Sequence, residues 1–290
     1  MSLTTGILLL DKPLGLSSNR ALQTVKRLLG ADKAGHVGSL DPLATGMLPI
    51  CLGEATKIAG EILSGRKQYE FTVTLGSRTA TGDAEGEVTE TLPVPPVEPA
   101  RLAETLGRFM GLQRQTPPMY SAIKQQGQPL YKLARAGKEV ARASREIEIF
   151  ELASVAFDGA RLELRTICSK GTYIRVLAED IARALGTCGH VTRLRRSWVE
   201  PFEREAMQTL EEVERSPRMM PADQGVPHLP RLELGPEDAL RLRQGQALRW
   251  PEAGKGPVRL YDEAGRFFGL GTLEEGTLRP RRLWSNSACG

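Results

Sequence analysis

The residues that pack the most chemistry into the least chain lie at 35–46, Gly-His-Val-Gly-Ser-Leu-Asp-Pro-Leu-Ala-Thr-Gly. Three glycines and a proline at this density dictate a tight, irregular backbone. The stretch carries His36, one of three histidines in the chain, and a single carboxylate, Asp41. Asp41 stands between apolar Leu40 and Pro42, so it is poorly hydrated unless a positive group meets it. A carboxylate held that way can serve as nucleophile or base. An Asp before Pro more often caps a helix or turn, so the rest of the chain has to decide.

A second chemistry is spread over 115–144. Tyr120 and Tyr131 interleave there with Lys124, Lys132, Arg135, Lys138 and Arg142, and Gly127 and Gly137 supply flex points. Few residues in this segment can fill a core. Lys and Arg neutralise phosphates and aromatics stack on bases, which suits nucleic-acid contact. The net charge is only +4, but it is unevenly placed. Residues 80–100 hold five acids and no Lys or Arg, whereas 113–146 hold seven Lys/Arg against two Glu. A basic face of this kind marks a polyanion partner or a solvated surface.

Other chemistries are excluded or weak. The four cysteines are widely spread, with no Cys-x-x-Cys and no His-x-x-x-His, so neither a structural zinc site nor a disulfide framework is expected. No Gly-Lys-Ser/Thr enters a helix and no Gly-x-Gly-x-x-Gly follows a strand. There is no apolar run of the roughly 18–20 residues a membrane span needs and no signal-like N-terminus, so a cytoplasmic protein is expected.

The elements that must position these groups are readable in outline. With 290 residues and 40% apolar content, one large or two ordinary domains can form. Residues 6–10 predict a buried strand ending at the Asp11-Lys12-Pro13-Leu14-Gly15 turn. Ser17 or Ser18 caps a helix with Ala21, Leu22, Val25, Leu28 and Leu29 on one face, closed by Gly30. Tyr69, Phe71, Val73 and Leu75 alternate with polar residues as a half-buried strand. Residues 79–99 read as an acidic surface loop with a short hairpin. A helix follows from Pro99, with Leu102, Leu106, Phe109 and Met110 inward. Two strands, 147–157 and 161–168, are joined at Asp158-Gly159. A helix from Ile174 ends at Gly186, and 190–196 is a basic strand or loop. Residues 217–230 read as a Pro-rich linker. A small, mostly β unit follows from about 231, with a helix opening at Pro236 and a hairpin across 258–270.

Four stretches occur in a telling order: GILLLDKPLGLSS at 6–18, GHVGSLDPLATG at 35–46, YSAIKQQGQPLYKLAR at 120–135 and CSKGTYIR at 168–175. Together with Leu194-Arg195-Arg196 they closely resemble the bacterial tRNA pseudouridine synthase B family, over about residues 6–200. The resemblance implies an α+β pseudouridine-synthase fold, a central mixed, mainly antiparallel sheet flanked by helices. It implies a catalytic domain at 1–225 with a basic RNA-binding insertion at 113–146, and a PUA-like RNA-binding domain at 231–285.

The implied reaction is isomerisation of uridine 55 in the tRNA T loop. The flipped base leaves C1′ through N1 and rejoins it through C5. The implied catalytic residues are Asp41, Tyr173 and Arg175. Asp41 could add to the base, attack C1′ or take a sugar proton. Arg175 would offset the cost of burying the Asp41 charge, and Tyr173 would act as acid/base at C5. Implied substrate contacts are Tyr69, stacking on the base, Leu194, closing the apolar side, His36, meeting the T loop, and Lys12, near the site or on a phosphate. Lys124, Lys132 and Arg135 would bind RNA. The reaction is redox-neutral, so no metal or organic cofactor is expected. The expected partner is tRNA, met by a monomer. The rival reading is a tRNA-folding chaperone with a vestigial site, for which the joint presence of Asp41, Tyr69, Tyr173 and Arg175 would be unnecessary.

Overall fold

The fold is given by a computed structural model, which describes residues 5–121, 123–125, 127–138, 140–251 and 254–285. The chain opens with β1 (Gly6–Lys12), α1 (Ser18–Leu28), β2 (Ala34–His36) and β3 (Ala44–Leu52), then α2 (Ala59–Ser64) and β4 (Lys67–Leu75). A small hairpin, β5 (Ser77–Thr79) and β6 (Val88–Thr91), leads to α3 (Pro99–Gly107) and β7 (Gly111–Gln115). The basic segment holds β8 (Lys124–Gln125), β9 (Gln128–Pro129) and α4 (Leu130–Arg135). The chain returns through β10 (Arg145–Phe157), β11 (Arg161–Cys168), α5 (Ile174–Ala184), β12 (Gly189–Val199) and α6 (Leu210–Arg215).

The central sheet runs in the order β1-β3-β12-β4-β11-β10-β7, with β2 also paired to β3. Only the β12–β3 pairing in it is parallel; the others are antiparallel. The apolar run of β1 is buried on both faces, and its period of two divides it between two cores. Leu8 and Leu10 join the cluster under α1 and α5, whereas Ile7 and Leu9 join a second cluster on the opposite face. Full burial of such a side chain contributes about 1.5–3 kcal/mol. Helix α1 begins as expected: Ser17 accepts from the Arg20 N–H, and Ala21, Leu22 and Val25 are buried. Asp158 and Gly159 make the β10–β11 turn, with Gly159 at φ +93°.

The C-terminal unit is a five-stranded sheet. It comprises β13 (Arg231–Glu233), α7 (Pro236–Arg243), β14 (Leu248–Arg249), β15 (Gly256–Tyr261), β16 (Phe267–Glu274) and β17 (Thr277–Leu283). Its Tyr261, Phe267 and Leu270 pack into the second cluster with Ile7 and Leu9. Polar contacts reinforce the docking: Tyr261 Oη donates to Asp223 at 2.7 Å, and Lys57 Nζ donates to the Leu283 carbonyl at 2.6 Å.

The structure corrects or sharpens the sequence reading at four points. Residues 217–230 are no free linker: Met220 bridges Ile7 beside β1, and Ala222, Val226 and Leu229 are buried. Met110 lies past the end of α3 and is exposed. Residues 190–196 are fully strand, in the middle of the sheet as part of β12. Strand β3 adds an element with no clear sequence signal, because Gly46 and Pro49 interrupt its pattern. Among the described residues, no helix is long and apolar enough to cross a membrane, and no group of three or more His, Cys, Asp or Glu could hold a metal ion. Cys51, Cys168 and Cys188 are buried and unbridged; Cys289 lies outside the described residues.

Candidate active site

Asp41 sits on the connection from β2 to β3, and that loop is wrapped around a buried guanidinium. Arg196, on β12 and 1% exposed, donates from Nε to the Met47 carbonyl at 2.7 Å and from Nη2 to the Gly38 carbonyl at 2.9 Å. Strand pairing sets Arg196 opposite Gly46. A Cβ on Gly46, whose φ is +97°, would lie 2.2 Å from the Arg196 carbonyl oxygen, so only glycine fits. From the other side, Ser18 Oγ accepts from the Leu40 N–H at 2.7 Å and donates to the Leu40 carbonyl at 2.9 Å. The start of α1 and the centre of the sheet thus fix the residues flanking Asp41.

The positive group that Asp41 requires is Arg175, in the first turn of α5. Its Nε lies 3.0 Å from Asp41 Oδ2; the Arg175 side chain is 5% exposed and that of Asp41 42%. The carboxylate therefore faces open space from a fixed mount. Arg175 also donates to the carbonyls of Thr81 and Tyr120, each at 2.7 Å, and its Nη1 lies 3.5 Å from Asp83 Oδ2. Asp83 is held in turn by Thr81 Oγ1 at 2.6 Å and the Glu85 N–H at 3.1 Å. One buried cation is shared by an open carboxylate and a buried one.

Burial pushes the Asp41 carboxyl above its ordinary value; Arg175 pulls it down, Asp83 pushes it up and Lys12 pulls it down, with a net upward shift. Pairing with Arg175 offsets burial without cancelling it.

Asp41 opens into a cavity of about 560 Å³. Tyr69, Leu194, Tyr173 and Arg175 all line it. Tyr69, on β4, is 9% exposed, and burial pushes its phenol above the ordinary value, with Arg196 pulling it back. Tyr173 is the N-cap residue of α5, and the Arg145 guanidinium lies 4.8 Å from its ring centroid. Arg145, Lys170 and Lys67 bring positive charge to the cavity wall, a suitable setting for a phosphate-bearing substrate.

His36 and Lys12 are not brought into this cavity. His36 lies on β2, half-buried, its Nδ1 without a partner among the described residues, and burial lowers its pKa. Lys12 is near the site, close enough for its charge to act on Asp41, but its amine is turned away from the cavity. It is fully buried, and its Nζ donates to the carbonyls of Pro13 at 2.9 Å and Leu16 at 2.6 Å, so it holds the turn before α1. Burial lowers its pKa to about 8, partly offset by Asp41. Lys132 is exposed; the side chains of Lys124 and Arg135 lie outside the described residues.

Sequence reasoning missed Arg196, Asp83 and Gln115. Arg196 looked like one more basic residue of a strand. Asp83 looked like part of an exposed acidic loop, yet it is 2% exposed. Gln115 carried no signal beyond preceding the Pro117-Pro118 break.

Sheet, insertion and cavity together define a pseudouridine-synthase fold. The structure matches that of an H/ACA ribonucleoprotein bound to a substrate RNA containing 2′-deoxyuridine, with a TM-score of 0.73 and 22% identity over 98% of this chain and 86% of that one. An archaeal box H/ACA ribonucleoprotein complex matches with a TM-score of 0.72 and 22% identity, over 99% and 89% of the two chains.

The chain belongs to the TruB family of pseudouridylate synthases. The family's N-terminal domain model matches residues 26–174. A tRNA pseudouridylate synthase B C-terminal domain matches 175–232, and a pseudouridine synthase II TruB C-terminal domain matches 230–284. Relatives include tRNA pseudouridine synthase B of Azoarcus sp. (strain BH72), 49% identical over 96% of this chain and 94% of that one. The protein of the same name from Nitrosococcus oceani is 50% identical, over 96% and 94%.

Proposed function

We propose that the protein converts uridine to pseudouridine in tRNA, at position 55 of the T loop. The observation that carries this reading is the Asp41–Arg175 pair, 3.0 Å apart, with the carboxylate open to the cavity and the guanidinium buried behind it. The names and extent of the relatives supply the substrate class.

In this reading the target base leaves its stack, at a cost of a few kcal/mol, and enters the cavity against the Tyr69 ring and Leu194. Asp41, as carboxylate, drives release of the base from C1′ and is itself released later, the two-step path open to a nucleophile or base that stays in the pocket. Arg175 holds the carboxylate on line throughout. The base turns, C5 bonds to C1′, and the proton on C5 departs with Tyr173 as the acid/base; N1 ends protonated. Atoms and electrons balance without an external reactant, so the reaction requires no cofactor. Residues 1–225 form the catalytic unit, with 113–146 as its RNA-binding insertion and Lys124, Lys132 and Arg135 on phosphates. Residues 231–285 form a PUA-like RNA-binding unit, and His36 meets the T loop outside the cavity.

The test is tritium release from C5-labelled uridine in a T-arm stem-loop. Asp41→Asn is expected to fall to background while still binding the RNA. Substantial release by this variant overturns the assignment.

A further inference from the structure

The basic insertion leaves the sheet at Gln115, the last residue of β7, and returns at Arg145, the first of β10. These two residues are register partners, and Thr116 and Ser144 hydrogen-bond just beyond them at 2.9 Å. Both members of this root pair also grip Tyr173. The Tyr173 N–H donates to Gln115 Oε1 at 2.7 Å, and Gln115 Nε2 donates to the Tyr173 carbonyl at 3.1 Å. Gln115 is 4% exposed, so the amide is committed to this clamp. Arg145 lies over the face of the Tyr173 ring and donates to the Gly171 carbonyl two residues earlier.

Tyr173 needs such support. It is the N-cap of α5 but has no capping hydrogen bond from its own side chain. Its backbone N–H would lack a partner without Gln115. Gly171, two residues before it, takes a φ of +85°, so the turn presents Tyr173 through backbone geometry.

We propose that Gln115, with Arg145 across the strand pair, is a positioning residue that ties the root of the insertion to Tyr173 and so sets the phenol for the C5 proton. The proposal rests on the reading of Tyr173 as acid/base given above. It goes beyond that reading by making the RNA-binding segment part of how the site is set. The Arg175 bond to the Tyr120 carbonyl, inside the same insertion, is a second link of the same kind.

The experiment is a double-mutant cycle of Gln115→Met and Tyr173→Phe, read as single-turnover tritium release at saturating enzyme, with RNA Kd measured separately. Gln115→Met is expected to slow release roughly 10- to 100-fold, the scale of a misplacement of about 1 Å. Its Kd should stay within about 2-fold, because the clamp is made to Tyr173 and not to RNA. Added to Tyr173→Phe, it should cause no further slowing, since its effect passes through the phenol. A full rate in Gln115→Met beside a slow Tyr173→Phe overturns the clamp alone. Multiplicative slowing in the double variant also overturns it. A full rate in Tyr173→Phe overturns the reading of Tyr173 and the purpose of the clamp with it. Should Gln115→Met fail to fold, Gln115→Glu, which keeps the acceptor and loses the donor, carries the same cycle with the same outcomes.

Discussion

The Asp41 loop and the basic insertion are both irregular and glycine-bearing, yet they are built in opposite ways. The loop is tied from inside by Arg196, from α1 by Ser18 and from α5 by Arg175. The insertion is tied at its root, and among the described side chains of 127–138 only Leu130 is buried. In the proposed function the loop holds one carboxylate to within a fraction of an ångström of its target, which demands fixed neighbours. In the proposed function the insertion meets phosphates, which demands charge and tolerates looser geometry. Glycine therefore means two things here. In the loop it permits close approach to a neighbouring strand; at Gly127 and Gly137 it turns the chain where a Cβ would meet nothing nearby.

The largest expected effect breaks the loop. Gly46→Ala forces a methyl group onto the Arg196 carbonyl and should cost about 4 kcal/mol or more of stability. Chemical denaturation measures it, and a decrease of under about 1 kcal/mol would mean that the loop yields as freely as the insertion.

The converse applies to the insertion. Alanine at Lys124, Lys132 and Arg135 together should leave the unfolding midpoint in place and weaken tRNA binding. The salt slope should fall by about 0.7–0.9 for each phosphate that is no longer neutralised. An unchanged slope removes the insertion from the phosphate backbone.

A smaller effect concerns the charge on Asp41. Asp83 raises the Asp41 pKa through space. Asp83→Asn should therefore shift the acid limb of the pH–rate profile to lower pH, even at a reduced maximum rate. An upward shift contradicts the shared-cation geometry.

The smallest is at Lys12, which titrates near 8 when folded and near 10.5 when unfolded. Above about 8 the unfolded chain binds more protons, so stability from this group rises with pH. Between pH 7 and 9 the rise is about 1 kcal/mol. Lys12→Met should abolish it in urea titrations.

Much of this was legible in the sequence, for physical reasons that can be named. The buried run of β1, the cap of α1 and the Asp158-Gly159 turn are local signals, and local chemistry decided them. The resemblance carried by the ordered motifs brings Asp41, Tyr173 and Arg175 together without reference to geometry. What stayed hidden depends on contacts distant in sequence. Arg196 is buried because the Met47 carbonyl of β3 and the Gly38 carbonyl of the Asp41 loop both face it. Asp83 is buried because Arg175 reaches it from α5. Strand β3 was masked by Gly46 and Pro49, both tolerated because of their neighbours: Gly46 fits under Arg196, and Pro49, which has no N–H to donate, accepts from the Val37 N–H. The 217–230 segment has linker composition, but its apolar residues fall where the second core is open.

On this reading the Asp41 mount exists to isomerise one uridine in tRNA. The decisive measurement maps pseudouridine in total tRNA, taken from cells lacking this activity and treated with the purified protein or with Asp41→Asn. New pseudouridine at position 55 is expected with the wild-type protein and none with the variant. Pseudouridine at another position instead, or equal modification by Asp41→Asn, would refute it.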